Sequence, residues 1–116
     1  YEGGAEAAYR LLTSVHAPDA IFCSGDINTM GALDAARKLG RDIGETLSIA
    51  GFDAPCGMEL PPYGITALRQ DTGQLARDAV QILKRMIDTD DRSPVVVTRP
   101  MELVVRTSTR PRPTEK

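Results

Sequence analysis

Cysteine and histidine are scarce in this 116-residue sequence, which contains two cysteines, Cys23 and Cys56, and one histidine, His16. These three side chains alone cannot supply the four ligands of a structural zinc site, and we expect neither a metal centre nor a cofactor. One disulfide is arithmetically possible. A chain with a core of its own does not need it, so cysteine usage favours a reducing cytosol.

The sequence also lacks long hydrophobic runs and an excess of charge of one sign. Apolar runs extend over only a few residues, which is too short to cross a bilayer. Lys plus Arg total 14 against 16 for Asp plus Glu, so the chain does not have the basic character of a nucleic-acid-binding domain. A mass of 12.5 kDa, with 41% hydrophobic and 26% charged residues, is typical of one globular domain.

The sequence begins at Tyr1 rather than at an initiator methionine, and it shows no charged segment followed by an apolar one, as a secretory signal would. We therefore expect this chain to be a piece of a longer protein.

Helix-like and strand-like segments alternate along the chain. Apolar stripes at helical spacing predict helices, and short apolar runs between turn residues predict strands buried on both faces. This alternation predicts an α/β fold with a parallel sheet flanked by helices. The predicted helices cover residues 2–13, 28–39 and a segment after Asp71; the predicted strands cover residues 20–23, 47–52, 65–69, 95–97 and 103–105; residues 108–116 are predicted to be a loose tail.

Acidic residues follow the first two predicted strands. Ligands of parallel sheets bind beyond the carboxyl ends of the strands, where Ser24-Gly25-Asp26 and Asp53-Ala54-Pro55 lie. Asp53 could accept hydrogen bonds from sugar hydroxyls or pair with a cationic ligand. Alternatively, it could cap the next turn through the backbone N–H groups of Ala54 or Cys56.

The segment after the first predicted strand also begins a helix. Asp26 is predicted to be the N-cap of this helix. Gly25 would let a ligand approach the backbone closely, and the free N–H groups at the helix start suit an anionic or hydroxyl-rich ligand. Ile27 and Asn28, in the first turn, could line the same opening.

Two possible catalytic patterns fail on chemical grounds. Residues 40–46 superficially resemble a phosphate-binding loop, but Glu45 stands where a lysine is required. Ser24 lacks the flanking glycines of a nucleophile elbow, and His16 lies in a polar loop. We expect this chain not to be an enzyme.

Several segments together resemble the effector-binding region of the lactose-repressor/galactose-repressor family of bacterial transcriptional regulators. They occur in the family's order over nearly the whole chain: YEGGAEAAYRLL (1–12), PDAIFCSGDINTMG (18–31), ALDAARKLG (32–40), LSIAGFD (47–53), ITALRQD (65–71) and MELVVRTST (101–109). The closing segment favours the repressors over the secreted sugar-binding proteins that share the fold.

The resemblance implies a periplasmic-binding-protein-like fold of two α/β lobes, with an effector bound in the cleft between them. Residues 1–107 would be a partial effector-binding domain. Within it, residues 1–70 would supply most of the carboxyl-terminal lobe, and residues 71–107 would contain elements that cross to the other lobe. The DNA-reading head would lie in a part of the parent protein outside this chain.

The resemblance also assigns residues. Asp53 matches the aspartate of the family's G-[YF]-D motif, which binds effector hydroxyls or polar ring atoms. Gly25 stands where many members have a ligand-contacting asparagine, and Ile27 falls at a cleft-lining position. Met30, and Leu60 in the irregular segment, would contribute to a dimer contact.

The expected function is that of a small-molecule sensor, for a sugar or related metabolite, within a cytoplasmic, dimeric, DNA-binding repressor. Effector binding would alter operator affinity. The alternative is a solute-binding protein of a sugar transporter, which uses the same kind of cleft.

Overall fold

The computed structural model describes residues 1–53 and 62–110. The helices and strands of these residues are α1 (Glu2–Leu12), β1 (Ala20–Cys23), α2 (Asp26–Lys38), β2 (Ser48–Phe52), β3 (Thr66–Arg69), α3 (Thr72–Thr89) and β4 (Glu102–Val104). The strands form one sheet in the order β1-β2-β3-β4, and both the β1–β2 and the β2–β3 pairs are parallel. The predicted α/β fold with a parallel sheet is confirmed.

The chain divides into two compact units. The first comprises Tyr1–Arg69 together with the residues from Leu103 onward, and the second comprises Gln70–Glu102. The sequence places residues 71–107 in one group. Within this group, Arg106 and Thr107 form hydrogen bonds with the start of β3 and with Gly64. The assignment of residues 71–107 to elements that cross to the other lobe stays a prediction.

The core of the first unit lies between its helices and the sheet. Its largest fully buried apolar side chains are Leu33, Leu47, Ile49 and Ile65. Burying such side chains is the main favourable contribution to folding, at about 25 cal/mol per Å² of apolar surface.

Helices α1 and α2 pack backbone against backbone. A Cβ atom on Gly4 would lie 2.6 Å from Asn28 Cα, and one on Gly31 would lie 2.8 Å from Ala5 N. No side chain fits at either position. These two glycines therefore allow the short distance between the two helices.

Helix α2 is also fixed to the sheet through Thr29, which is fully buried. Its hydroxyl donates to Gly25 O at 2.7 Å. On the sheet side, a Cβ on Gly51 would lie 2.5 Å from Thr29 Oγ1. The start of α2 is therefore held directly over β2.

Strand β1 differs from its prediction as a strand buried on both faces. It is an edge strand of the sheet, and Phe22 is 62% exposed. The apolar run correctly predicts the strand, but only the face with Ile21 and Cys23 is covered, and the face with Ala20 and Phe22 is exposed.

Ser108 lies in the segment predicted to be a loose tail, and that prediction is wrong for this residue. Ser108 is 1% exposed. Its hydroxyl donates to Ile49 O at 2.6 Å and accepts from Thr66 N at 2.8 Å. Residues 111–116 of the predicted tail lie outside the described residues.

The second unit is dominated by α3. Asp71 caps its start by accepting from Gln74 N at 2.8 Å, as the sequence predicts. Residues 95–97 do not form the predicted strand. Their β-branched side chains favour a strand. Among the described residues of the second unit, however, no strand forms backbone hydrogen bonds with them. No described helix is both long and apolar enough to span a membrane.

Candidate ligand-binding site

The two predicted ligand-binding segments lie at the same edge of the sheet. In the parallel register, Cys23 is opposite Gly51, and Phe52 is opposite Leu68. Gly25 and Asp53 each lie two residues beyond the Cys23–Gly51 pair. The structure thus places them after neighbouring strands, at the carboxyl edge where parallel sheets bind ligands.

Asp53 has a left-handed backbone conformation, with φ of 59°. Left-handed φ is uncommon for a residue with a side chain, and such residues are concentrated at functional sites. Its N–H donates to Leu68 O at 2.9 Å, which anchors it to β3. The side chain is half-buried. The alternative role predicted for Asp53, capping through Ala54 or Cys56, involves residues outside the described ranges.

Asp26 is not the N-cap of α2, which corrects the prediction. The N-cap is Gly25, in an extended conformation with φ of −160°, and its carbonyl accepts from Thr29 N at 3.0 Å. Asp26 is the first helical residue, and its Oδ1 accepts from Ile27 N at 2.6 Å. A carboxylate in the first turn still interacts favourably with the positive end of the helix dipole.

The surface around Gly25 is open. A Cβ at this position would have only Asn28 Nδ2 nearby, at 3.8 Å. Ile27 is 50% exposed, which is unusual for so apolar a side chain. The start of α2 therefore combines accessible backbone with an apolar wall and the amide of Asn28.

Sequence reasoning missed the third strand end. Arg69 ends β3 at this same edge, one residue beyond Leu68, and its side chain is exposed. The signal was available, because the run Ile65–Leu68 is followed directly by a charged residue, as β2 is followed by Asp53. Arg69 adds a cationic group to an edge that otherwise carries Asp26 and Asp53.

The environment of Cys23 does not activate its thiol. Burial raises the pKa of the Cys23 thiol, while a hydrogen bond with Thr29 acts in the opposite direction. A thiol of raised pKa is a poor nucleophile. Among residues 1–53 and 62–110, there is no cluster of three or more His, Cys, Asp or Glu side chains that could hold a metal ion.

Of the two residues predicted to form a dimer contact, the structure describes Met30 but not Leu60. Met30 is half-buried and packs against the core cluster. Leu60 lies outside the described residues. The dimer contact stays a prediction.

The parallel sheet and the order of the elements define a class of protein. Residues 1–109 match the family described as the periplasmic binding protein-like domain, and the chain belongs to that family. Its relatives place it within the effector-binding region of LacI-family transcriptional regulators, which confirms the resemblance found in the sequence.

One curated relative is the HTH-type transcriptional repressor PurR of Serratia proteamaculans (strain 568), which is 32% identical over 108 residues. The match covers 92% of this chain and 31% of that repressor. The chain thus spans about a third of the length of the curated relatives it matches.

Solved structures of LacI-family proteins superpose closely. A transcriptional regulatory protein from Corynebacterium glutamicum has a TM-score of 0.82 and 30% identity, over 96% of this chain and 43% of that one. The transcriptional regulator CelR in its complex with cellobiose has a TM-score of 0.81 and 28% identity, over 93% of this chain and 33% of that one.

Proposed function

We propose that this chain is part of the sensor domain of a DNA-binding transcriptional repressor, and that it binds a sugar or a related polar metabolite. The observation that carries the proposal is Asp53, a half-buried carboxylate in a left-handed conformation at the carboxyl edge of β2. It lies after the strand next to the one that leads into α2.

Sugar recognition suits the chemistry of this edge. A carboxylate can accept two hydrogen bonds from adjacent hydroxyl groups, and such charge-assisted bonds are the stronger ones. Apart from the N–H of Ile27, which donates to Asp26 Oδ1, the N–H groups at the start of α2 can donate to ligand oxygens. The exposed Ile27 supplies an apolar surface for the carbon face of a ring. The cellobiose complex of CelR supports a sugar as the ligand.

The effector would lie in the cleft between the two lobes of the complete regulator. In this proposal, residues 1–70 form most of the carboxyl-terminal lobe, and α3 and residues 95–97 belong to the other lobe. The exposure of Val80, Leu83 and Ile87 on α3, at 65%, 59% and 73%, is consistent with apolar surface that a larger assembly covers.

The complete protein would act as a cytoplasmic homodimer on operator DNA, through a head that this chain does not include. Closure of the lobes on the effector would change operator affinity, which is a coupling free energy between two sites. The reported relatives are transcriptional regulators. They favour this role over that of a solute-binding protein for a transporter.

Replacement of Asp53 by Asn tests the proposal. The full-length regulator is first screened by thermal shift against monosaccharides, disaccharides and nucleobases, because a ligand that binds only the folded state raises Tm. Calorimetry with the strongest hit should then show binding weakened by about 1–3 kcal/mol in Asp53→Asn, the scale of a lost charged hydrogen bond.

Asp42→Asn, an exposed carboxylate on the loop after α2, is the matched control and should bind like the parent. Equal affinity of Asp53→Asn and the parent protein would remove Asp53 from the site.

A further inference from the structure

A cavity lies at the end of the first unit opposite to the candidate ligand-binding site. Its volume is about 240 Å³, against the roughly 10–15 Å³ that one water molecule needs. We call it the arginine pocket. Its described lining residues are Arg37, Arg41, Ile43, Pro62, Tyr63, Thr107 and Ser108. Ile43 precedes β2 and Tyr63 precedes β3, so the pocket opens at the amino ends of the strands.

Arg41 is the donor that carries the inference. Its Nε atom is buried, and it has no hydrogen-bond partner among the described residues. Buried donors in folded proteins are nearly always paired, so this guanidinium lacks the partners that such a group usually has. The buried Nε is out of reach of a ligand, but the side chain lines the pocket, so its terminal Nη groups would be the donors. A guanidinium presents five donors in a fixed fork, which matches oxyanions such as phosphate and carboxylate.

Arg37 adds a second guanidinium, which is already held in place. Its Nη1 lies 3.2 Å from Asp34 Oδ1, and its Nη2 donates to Pro62 O. Its Cζ atom lies 5.3 Å from the centre of the Tyr63 ring. Asp34 offsets the charge of Arg37. Among the described lining residues, Arg41 is therefore the charged group that no ion pair offsets.

Thr107 is a further lining residue of the pocket. Gly44 and Gly64 have φ values of 89° and 50°, and a Cβ on either would collide with Thr107. The two glycines thus let the chain close tightly around Thr107. Ser108, next to it, is fixed by main-chain bonds to Ile49 and Gly64 of 2.8 and 3.0 Å. A pocket of fixed shape needs little ordering when a ligand binds.

We infer that the arginine pocket binds a small oxyanion, namely a phosphate group, with Arg41 as its main partner and with Arg37 and the Thr107 hydroxyl beside it. The site differs in chemistry from the edge that carries Asp53, where a carboxylate would repel phosphate. It is therefore a second site, independent of the proposed sugar site and available to a different ligand.

The test uses the 116-residue chain, a titration with inorganic phosphate at constant ionic strength, and amide chemical shifts as the readout. We expect saturable shifts at Tyr63 and Thr107. In Arg41→Gln the dissociation constant should rise at least about tenfold, the scale of a lost charge-assisted hydrogen bond. Arg10→Gln, which removes an exposed arginine of α1, should bind phosphate like the parent.

Two further arms separate the possible outcomes. Glycerol phosphate that binds as tightly as inorganic phosphate would indicate the phosphate group of a metabolite, and weaker binding would indicate free phosphate; both support the site. Shifts that do not saturate, or that persist unchanged in Arg41→Gln, would overturn the inference. Far-UV circular dichroism shows whether Arg41→Gln is folded. Arg41→Lys keeps the positive charge and separates the loss of charge from damage to the fold. Because the shifts at Tyr63 are separate from those at Gly25 and Asp53, failure here leaves the sugar proposal intact.

Discussion

Gly3 and Gly4 are adjacent in α1 and have opposite surroundings. A Cβ on Gly3 would have no heavy atom within 4 Å, whereas a Cβ on Gly4 would collide with the backbone of Asn28. The same chemical change at the two positions therefore separates intrinsic helix propensity from the close packing of α1 on α2.

Gly4→Ala should lower the free energy of unfolding by about 1–3 kcal/mol, because the two helix backbones must move apart. Gly3→Ala should leave it unchanged or raise it by up to about 1 kcal/mol, because alanine is the better helix former. Urea unfolding of the 116-residue chain measures both. Equal stability of the two variants would show that the helices are not packed as described.

At the scale of single residues, the sequence predicted which side chains stand at the strand ends but not how they are held. The apolar runs ending at Cys23 and Phe52 placed Gly25 and Asp53 correctly. The left-handed conformation of Asp53 depends on its bond to Leu68, which lies 15 residues later in the chain. The N-cap position of Gly25 rather than Asp26 depends on Thr29 packing against Gly51. A local sequence pattern does not predict such contacts between residues that are distant in the chain.

At the scale of the elements, the segment after α3 is attached to that helix by one buried carboxylate. Asp78 is 8% exposed and accepts from Arg99 Nε at 2.6 Å and Arg99 Nη2 at 2.7 Å. Gln74 Nε2 also donates to Asp78, at 2.9 Å. This bidentate pair fixes the second unit more firmly than its exposed apolar side chains can.

The Asp78–Arg99 pair should make the second unit sensitive to acid. The hydrogen bonds from Arg99, and then that from Gln74, lower the pKa of Asp78 below its ordinary value. The stabilisation is therefore complete above the ordinary aspartate pKa of about 3.9, and it is lost as pH falls through the lowered value. The Arg99 Nε–H resonance should remain protected from exchange at neutral pH and lose protection in acid.

Asp78→Asn should abolish this protection at neutral pH. Asp90→Asn serves as the control, because the Asp90–Arg92 pair is exposed and 3.4 Å apart. If Arg99 shows the same acid profile in Asp78→Asn as in the parent chain, the ion pair does not hold the segment.

The elements themselves were largely predictable, and the exceptions have a common cause. Helix α3 and its cap were found because the apolar stripe and the Asp71–Gln74 spacing are local signals. The burial of Ser108 was missed because its partners, Thr66 and Ile49, are 42 and 59 residues away. The strand predicted at residues 95–97 failed because β-branched residues favour a strand only where a neighbour offers hydrogen bonds.

At the scale of the whole molecule, Met30 tests the proposed dimer. Met30→Asp in the full-length regulator should yield monomers in analytical ultracentrifugation and weaken operator binding, because a charge would be placed in an apolar contact. Val15→Asp is the control, since Val15 is 95% exposed and belongs to no proposed contact. If Met30→Asp keeps its fold and remains a dimer, the surface around Met30 is not the dimer contact.

The position of β1 has a practical consequence for anyone who produces this chain alone. One side of that strand offers main-chain donors and acceptors to the solvent, with Phe22 beside them. Exposed strand edges of this kind recruit strands from other molecules. Preparations of the isolated chain should therefore stay clear only when they are dilute, which the solution measurements above require, whereas a longer piece of the protein that covers this side should stay clear when it is concentrated.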